Sequence, residues 1–322
     1  MDNTKPTAAG GNWPVMITPF NDDKSIDWKS LDGLIDWYLG GEISGLFAVC
    51  QSSEMFNLST EERIALAKYV VDRVKGKIPV IATGTFPETS ENQAEMVKKI
   101  SDTGVDTVIV LTNLFAKADE PESVWIKNVE KLLAGTGDIP LGLYECPYPY
   151  KRLIPVETMI WAKSTGRFFW SKDTSENIDQ IREKLKVTKG THLSLYNAHT
   201  GSLLESLQAG VLGFTGIDSN YYPGLYSWMC KNWENEPVLA RELQAFFVWG
   251  RQIIDIKYPL SAKEYMLSLG VIDNTTTRIE KEKFTAQELN KLKELQQASN
   301  LWHKKLNLGT GVRDKKQPQY AG

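Results

Sequence analysis

Short apolar runs alternate with amphipathic helical patterns as far as Glu234, and that alternation predicts the fold. The runs at 15–20, 45–50, 78–83, 107–112, 140–144, 168–172, 192–196 and 213–217 read as eight strands. Most are apolar throughout, as strands buried on both faces require. Between them, Leu31, Leu34, Ile35 and Tyr38 fall on one helical face, and Ser59 with Glu62 three residues on forms a capping box ahead of Leu66, Tyr69, Val70 and Val74. Another helix is expected around 92–100, and Ser175 is the expected N-cap before Ile178, Ile181 and Leu185. Eight strands with helices behind them predict an α/β fold, a (β/α)8 TIM barrel over residues 13–234. From Asn235 only helical patterns remain, at 240–256, 261–269 and 285–302, which define a C-terminal helical extension over 235–305. The flanks 1–12 and 306–322 read as flexible tails.

A barrel of this kind carries its chemistry at the C-terminal ends of its strands. The sixth run ends Phe168-Phe169-Trp170-Ser171-Lys172. Under strict alternation Phe168, Trp170 and Lys172 share the inner side. A lysine aimed into an apolar interior is poorly hydrated as a cation, so its pKa falls and the neutral amine becomes a nucleophile toward carbonyl carbon. Tyr144 ends the neighbouring strand and offers a phenol to move protons. The turn Cys50-Gln51-Ser52-Ser53-Glu54 offers hydroxyls and N–H groups for a carboxylate, with Gln51, Ser52 and Ser53 as binding candidates. Thr18, Phe115, Ala198 and Thr215 complete the candidate substrate-binding rim. Each has a plainer reading: a solvated lysine at a strand end, a core tyrosine, an ST-turn at Ser52 and Ser53, a structural carboxylate at Glu54. The meeting of Lys172 and Tyr144 on one rim favours chemistry, namely an imine with a 2-keto acid. Gly213-Phe214-Thr215-Gly216 keeps open a barrel that binds a keto acid or phosphate without covalent chemistry.

Composition changes this picture mainly by exclusion. A net charge of −3 gives no footprint for nucleic acid or an anionic membrane surface. Cys50, Cys146 and Cys230, with three histidines, match neither a disulfide framework nor metal-ligand spacing, so no metal is expected. No resident cofactor is expected either, because a lysine imine with the substrate would itself activate it. The chain lacks an apolar run of about 18 residues and its start lacks a signal-like apolar core, which predicts a cytoplasmic protein.

Taken jointly, Thr18-Pro19-Phe20, the turn ending in Glu54 with residues 58–63 behind it, residues 78–82, Leu143-Tyr144 with Pro147, and Ser171-Lys172-Asp173 resemble the dihydrodipicolinate synthase and N-acetylneuraminate lyase family, from about Trp13 to Trp302. The resemblance implies a (β/α)8 barrel in which Lys172 forms an imine with pyruvate or a related 2-keto acid and Tyr144 shuttles protons. It also implies a homo-oligomer, dimer or tetramer, for which Phe115, Tyr221, Tyr222 and Trp228 offer apolar area. Departures from the family pattern are concentrated at the rim. Gln51 and Phe115 stand where the synthase relays protons through threonine and tyrosine, and Pro149 stands for a substrate-binding arginine, leaving Lys151 or Arg152 as replacement cations. Ala198-His199 replaces a Gly-Asp pair. The expectation is therefore a Schiff-base lyase or aldolase joining or splitting a 2-keto acid and an aldehyde, not a true dihydrodipicolinate synthase. A dehydratase of 2-keto-3-deoxy sugar acids using the same imine is the alternative.

Overall fold

The computed structural model describes residues 9–87 and 90–309. Its eight parallel strands are β1 (Gly11–Asn12), β2 (Leu46–Val49), β3 (Val80–Thr83), β4 (Thr107–Leu111), β5 (Leu141–Tyr144), β6 (Phe168–Asp173), β7 (Ser194–Asn197) and β8 (Gly213–Phe214), ordered β1-β8-β7-β6-β5-β4-β3-β2. The circuit closes between the segment after β1 and β2, where Val15 bridges Phe47 and the Phe47 N–H donates to the Pro14 carbonyl at 3.0 Å. Around the strands lie α1 (Trp28–Gly40), α2 (Thr60–Val74), α3 (Ser90–Ser101), α4 (Glu122–Gly135), α5 (Val156–Ser164), α6 (Ile178–Thr188), α7 (Leu203–Ala209) and α8 (Pro223–Asn232). The C-terminal region adds α9 (Pro237–Ile254), α10 (Leu260–Ser268) and α11 (Ala286–Lys305). This is the α/β barrel with a helical extension that the alternation predicts. The Ser59–Glu62 capping box opens α2, and Thr285 caps α11. Among the described residues no helix is long and apolar enough to cross a membrane.

Four local expectations are corrected. The first strand is paired at Gly11–Asn12, within the stretch read as a tail; Pro14 offers no N–H toward β2, and of the expected run Val15 bridges Phe47 while the Met16 N–H donates to the Phe47 carbonyl. A Cβ on Gly213 would overlap the Gly11 carbonyl, so the β1–β8 seam depends on that glycine. Residues 1–8 and 310–322, the greater part of the two expected tails, lie outside the described residues.

In β6 the register runs Leu141↔Phe168 and then Gly142↔Trp170, so the ladder skips Phe169. That one-residue slip turns Phe168 out against Trp161 of α5, their rings 6.2 Å apart. Trp170 instead meets Tyr196 and Phe47 from across the barrel, at 5.1 and 5.7 Å, so Trp170 and Lys172 share the interior without Phe168. Beyond β6, Ser175 does not cap the helix. Its N–H and hydroxyl both donate to Asp173 Oδ1, Glu176 turns the chain at φ 60°, and the Asn177 side chain accepts from Asp179 and Gln180 at the start of α6.

Nor do the expected aromatics make a surface patch. Phe115, Tyr221 and Tyr222 are buried within the chain, and Tyr222 and Tyr226 stack on Phe247 of α9, the latter pair 4.0 Å apart. This stack fastens the C-terminal region to the barrel. Exposed apolar side chains lie elsewhere, among them Trp249 of α9, 44% accessible, and Leu301 of α11, 70% accessible.

Candidate active site

Lys172 and Tyr144 are register partners at the ends of β6 and β5, so parallel pairing alone brings them together. Lys172 Nζ lies 4.6 Å from the centroid of the Tyr144 ring and 5.9 Å from that of Phe47. Only 4% of Lys172 is accessible, and burial lowers its pKa from 10.5 to about 8. A useful fraction of the amine is therefore neutral near neutral pH. Burial also pushes the Tyr144 phenol well above its ordinary value, so it stays protonated and able to donate. The phenol donates to Gln51 Oε1 at 3.4 Å, and the Cys146 thiol approaches the same oxygen at 4.0 Å. Burial raises both neighbouring thiols, Cys146 to about 11, which leaves Lys172 the ready nucleophile.

Two chambers meet at Gln51, Tyr144, Lys172 and Ile217. One, of about 270 Å³, is lined by Lys151, Thr174, Glu176, Ala198, His199, Arg251 and Asp255. The other, of about 250 Å³, is lined by Cys50, Ser52, Tyr258, Ile279 and Lys281. A cavity of about 620 Å³ at the N-terminal ends of the strands, beside Trp13, Pro79 and Phe169, is bigger but holds no comparable group of reactive side chains. Chemistry rather than size therefore locates the site. Among the described residues, no group of three or more His, Cys, Asp or Glu side chains is placed to hold a metal ion.

The structure gathers some candidates and disperses others. Gln51, Ser52 and Ala198 line the chambers with Lys172 and Tyr144. Ser53 does not: its hydroxyl accepts from the Cys50 N–H and donates to the Cys50 carbonyl, closing the turn on itself. Thr18 is likewise spent on backbone, donating to the Ser53 carbonyl at 3.0 Å. Phe115 packs edge-on against Trp125 and borders a separate surface pocket with Tyr150. Thr215 is wholly buried and borders neither chamber, while Gly216 after it lines the Arg251 chamber. Of the two replacement cations, Lys151 reaches the rim, whereas Arg152 points away, donating to the Lys117 and Glu120 carbonyls and to Glu122.

Glu54 is structural, and its role is specific. With φ at 59°, it aims a fully buried carboxylate at the C-terminal region. Oε1 accepts from Lys263 Nζ at 2.7 Å, and Oε2 accepts from the Arg278 and Ile279 N–H groups at 2.6 and 2.8 Å. Arg278 then pairs with both oxygens of Glu62 and lies over Phe20. The clamp seats residues 278–281 over the Ser52 chamber. A second buried cluster sets the ends of β5 and β6, where Lys184 Nζ donates to Glu145 and Asp173, each at 2.5 Å.

Sequence reasoning missed Arg251, Asp255, Tyr258, Ile279 and Lys281, all from the helical extension. Arg251 enters from α9, donating to Asp218 at 3.2 Å and Asp255 at 2.7 Å. Its helical spacing marks a solvated position, and nothing local signals that α9 crosses the rim.

The family model described as the dihydrodipicolinate synthetase family matches residues 8–299. A 4-hydroxy-tetrahydrodipicolinate synthase of Oceanobacillus iheyensis is 29% identical over 206 residues, 64% of this chain and 68% of that protein. The synthase of Psychrobacter arcticus is 28% identical over 278 residues, 83% of this chain and 88% of its own length. Among solved structures, YagE, a prophage protein of the dihydrodipicolinic acid synthase family from E. coli K12 in complex with pyruvate, superposes with a TM-score of 0.81 at 21% identity, covering 91% of this chain and 99% of that one. The superposition shows a shared fold. A family match over nearly the whole length, on a closed parallel barrel with a buried lysine at the end of its sixth strand, means that this chain belongs to the dihydrodipicolinate synthetase family, as a divergent member.

Proposed function

We propose that this chain is a Schiff-base lyase that makes or breaks a carbon–carbon bond between pyruvate, or a related 2-keto acid, and an aldehyde. The observation that carries the reading is the Lys172 amine, buried beside the Tyr144 phenol where two chambers meet. The neutral amine adds to the C2 carbonyl, Tyr144 passes a proton to the oxygen that leaves as water, and an imine remains. Loss of a C3 proton gives an enamine whose carbon attacks the aldehyde, and water then releases the product from Lys172. Cleavage is the same path reversed. No resident cofactor takes part.

The aldehyde is proposed to be hydroxylated and to occupy the Arg251 chamber. Glu176 and Asp255 stand beside Lys151 and Arg251 there, and His199 and Thr174 add further hydrogen-bonding partners. Hydroxyls, which donate and accept at once, suit such a lining better than a second carboxylate does. The same chamber would serve dehydration of a 2-keto-3-deoxy sugar acid. Dihydrodipicolinate synthesis is not proposed, since the Gln51 amide is a poor proton relay and Arg152 is turned away.

Incubation with pyruvate and borohydride, followed by intact mass and peptide mapping, should add one reduced pyruvyl group at Lys172. An unmodified chain with every 2-keto acid tried would remove the covalent mechanism, and synthase turnover of about 1 per second or more would remove the substrate assignment. The working form is proposed to be a homo-oligomer, dimer or tetramer, in the cytoplasm, where the free thiols Cys50, Cys146 and Cys230 stay reduced.

A further inference from the structure

Tyr144 and Lys172 are each followed by a buried carboxylate, Glu145 and Asp173, that no step of the imine chemistry uses. Both meet Lys184 of α6, itself buried, which donates to Glu145 Oε1 and to Asp173 Oδ2 at 2.5 Å each. The same carboxylates fix the loops that follow. Glu145 Oε1 also accepts from the Ile154 N–H and Oε2 from the Thr174 N–H, both at 2.8 Å, and Asp173 Oδ1 accepts from the Ser175 N–H at 2.9 Å. Thr174 in turn lines the Arg251 chamber. Direct pairing of β5 with β6 is nearly spent at this level, since the Glu145 N–H reaches the Lys172 carbonyl only at 3.5 Å. One ammonium therefore bridges the residues next to the phenol and next to the amine.

We propose that Lys184 is a positioning residue for the reaction: by joining the carboxylates that follow Tyr144 and Lys172, it holds phenol and amine at the separation that imine formation requires. The assignment rests on the imine chemistry proposed above and adds the group that sets its geometry. A buried ion cluster adds little net stability over apolar side chains of the same volume, whereas charge-assisted hydrogen bonds impose lengths and directions that methylene groups do not. Its place directly behind the reacting pair is where such fixed geometry has most effect, because a misplacement of about 1 Å can cost about 10² in rate.

The rate of borohydride trapping is measured against pyruvate concentration in the full-length protein, in Lys184→Met and in Asp173→Asn, each with its urea midpoint. Asp173→Asn is the milder probe: Lys184 keeps Glu145 as counterion, but asparagine cannot give one oxygen to Lys184 and another to Ser175. The limiting rate should fall about tenfold in Asp173→Asn and about a hundredfold in Lys184→Met. Half-saturation should stay within about twofold, since neither residue lines a chamber. Acetylation of Lys172 by acetic anhydride, followed against pH by peptide mapping, reads the amine without a keto acid. Its midpoint, near 8 in the native protein, should rise toward 10.5 in both variants as the displaced amine regains water. Charge alone would raise it in Lys184→Met and lower it in Asp173→Asn. A lower urea midpoint with native limiting rates, or acetylation midpoints that stay put or move in opposite directions, would overturn the proposal and leave the cluster to stability. If no 2-keto acid modifies native Lys172, the imine reading falls by itself, and the acetylation midpoints alone decide whether Lys184 places the amine.

Discussion

The Lys172 ammonium loses its water at the end of β6, and its pKa falls to about 8 from the 10.5 it has in the unfolded chain. Between those values the unfolded chain holds a proton that the folded one does not. Stability from this group therefore rises with pH through that window and is lowest below pH 8. Lys172→Met should accordingly abolish trapping yet raise the urea midpoint at pH 7, by an amount corresponding to up to about 3 kcal/mol. A fall in that midpoint would mean that the amine has a stabilising partner. Imine formation should speed up from pH 6 to about 8 and then level off as the amine becomes neutral. Tyr144→Phe keeps the ring against Lys172 but removes the proton, so turnover should drop by roughly 10² to 10⁴ while slow imine formation remains detectable. Turnover within a few-fold of the native protein would reduce Tyr144 to packing.

At the scale of elements, the Glu54 clamp joins the turn after β2 to α10 and the loop before α11 through a carboxylate and a Lys263 ammonium that have no solvent contact. Burial lowers the Lys263 pKa to about 8 in spite of its pairing with Glu54, a sign of how costly the unpaired ammonium would be. Glu54→Ala should destabilise the chain by about 3–5 kcal/mol, and adding Lys263→Met should recover part of that loss, read from urea midpoints. Equal midpoints for the single and double variants would disprove the charge argument. The contrast between the ends of this clamp shows what was legible in the sequence. Apolar runs, period-3.6 patterns and the Ser59–Glu62 box depend on near neighbours, so the strands after the first, the helices and the Lys172–Tyr144 pair could be read directly. The skipped Phe169 depends on the fit of β6 to β5, and Ser175 loses the cap because Asp173 takes its hydroxyl. Arg251 and Lys281 reach the site only through tertiary packing of the extension. Ser53 and Thr18 have suitable hydroxyls, but their hydrogen bonds go to nearby backbone.

For the whole molecule, barrel and extension share the Tyr222, Tyr226 and Phe247 stack and the Glu54 clamp, and part of the apolar area left outside lies on α9 and α11. Light scattering at micromolar concentration should give a multiple of the 36.3 kDa chain mass, and Leu301→Glu should shift it toward the monomer. A native mass equal to one chain would exclude assembly through this face. The clamp also has a consequence for the time course of the molecule's making. Glu54 leaves the ribosome more than two hundred residues ahead of Arg278, and β1 waits almost as long for β8. At about 5–20 residues per second, the nascent barrel spends on the order of ten seconds or more as an open sheet, its edges bare and the Ser52 chamber without a wall. Nothing that resembles the finished active site exists until the last tenth or so of the chain has emerged.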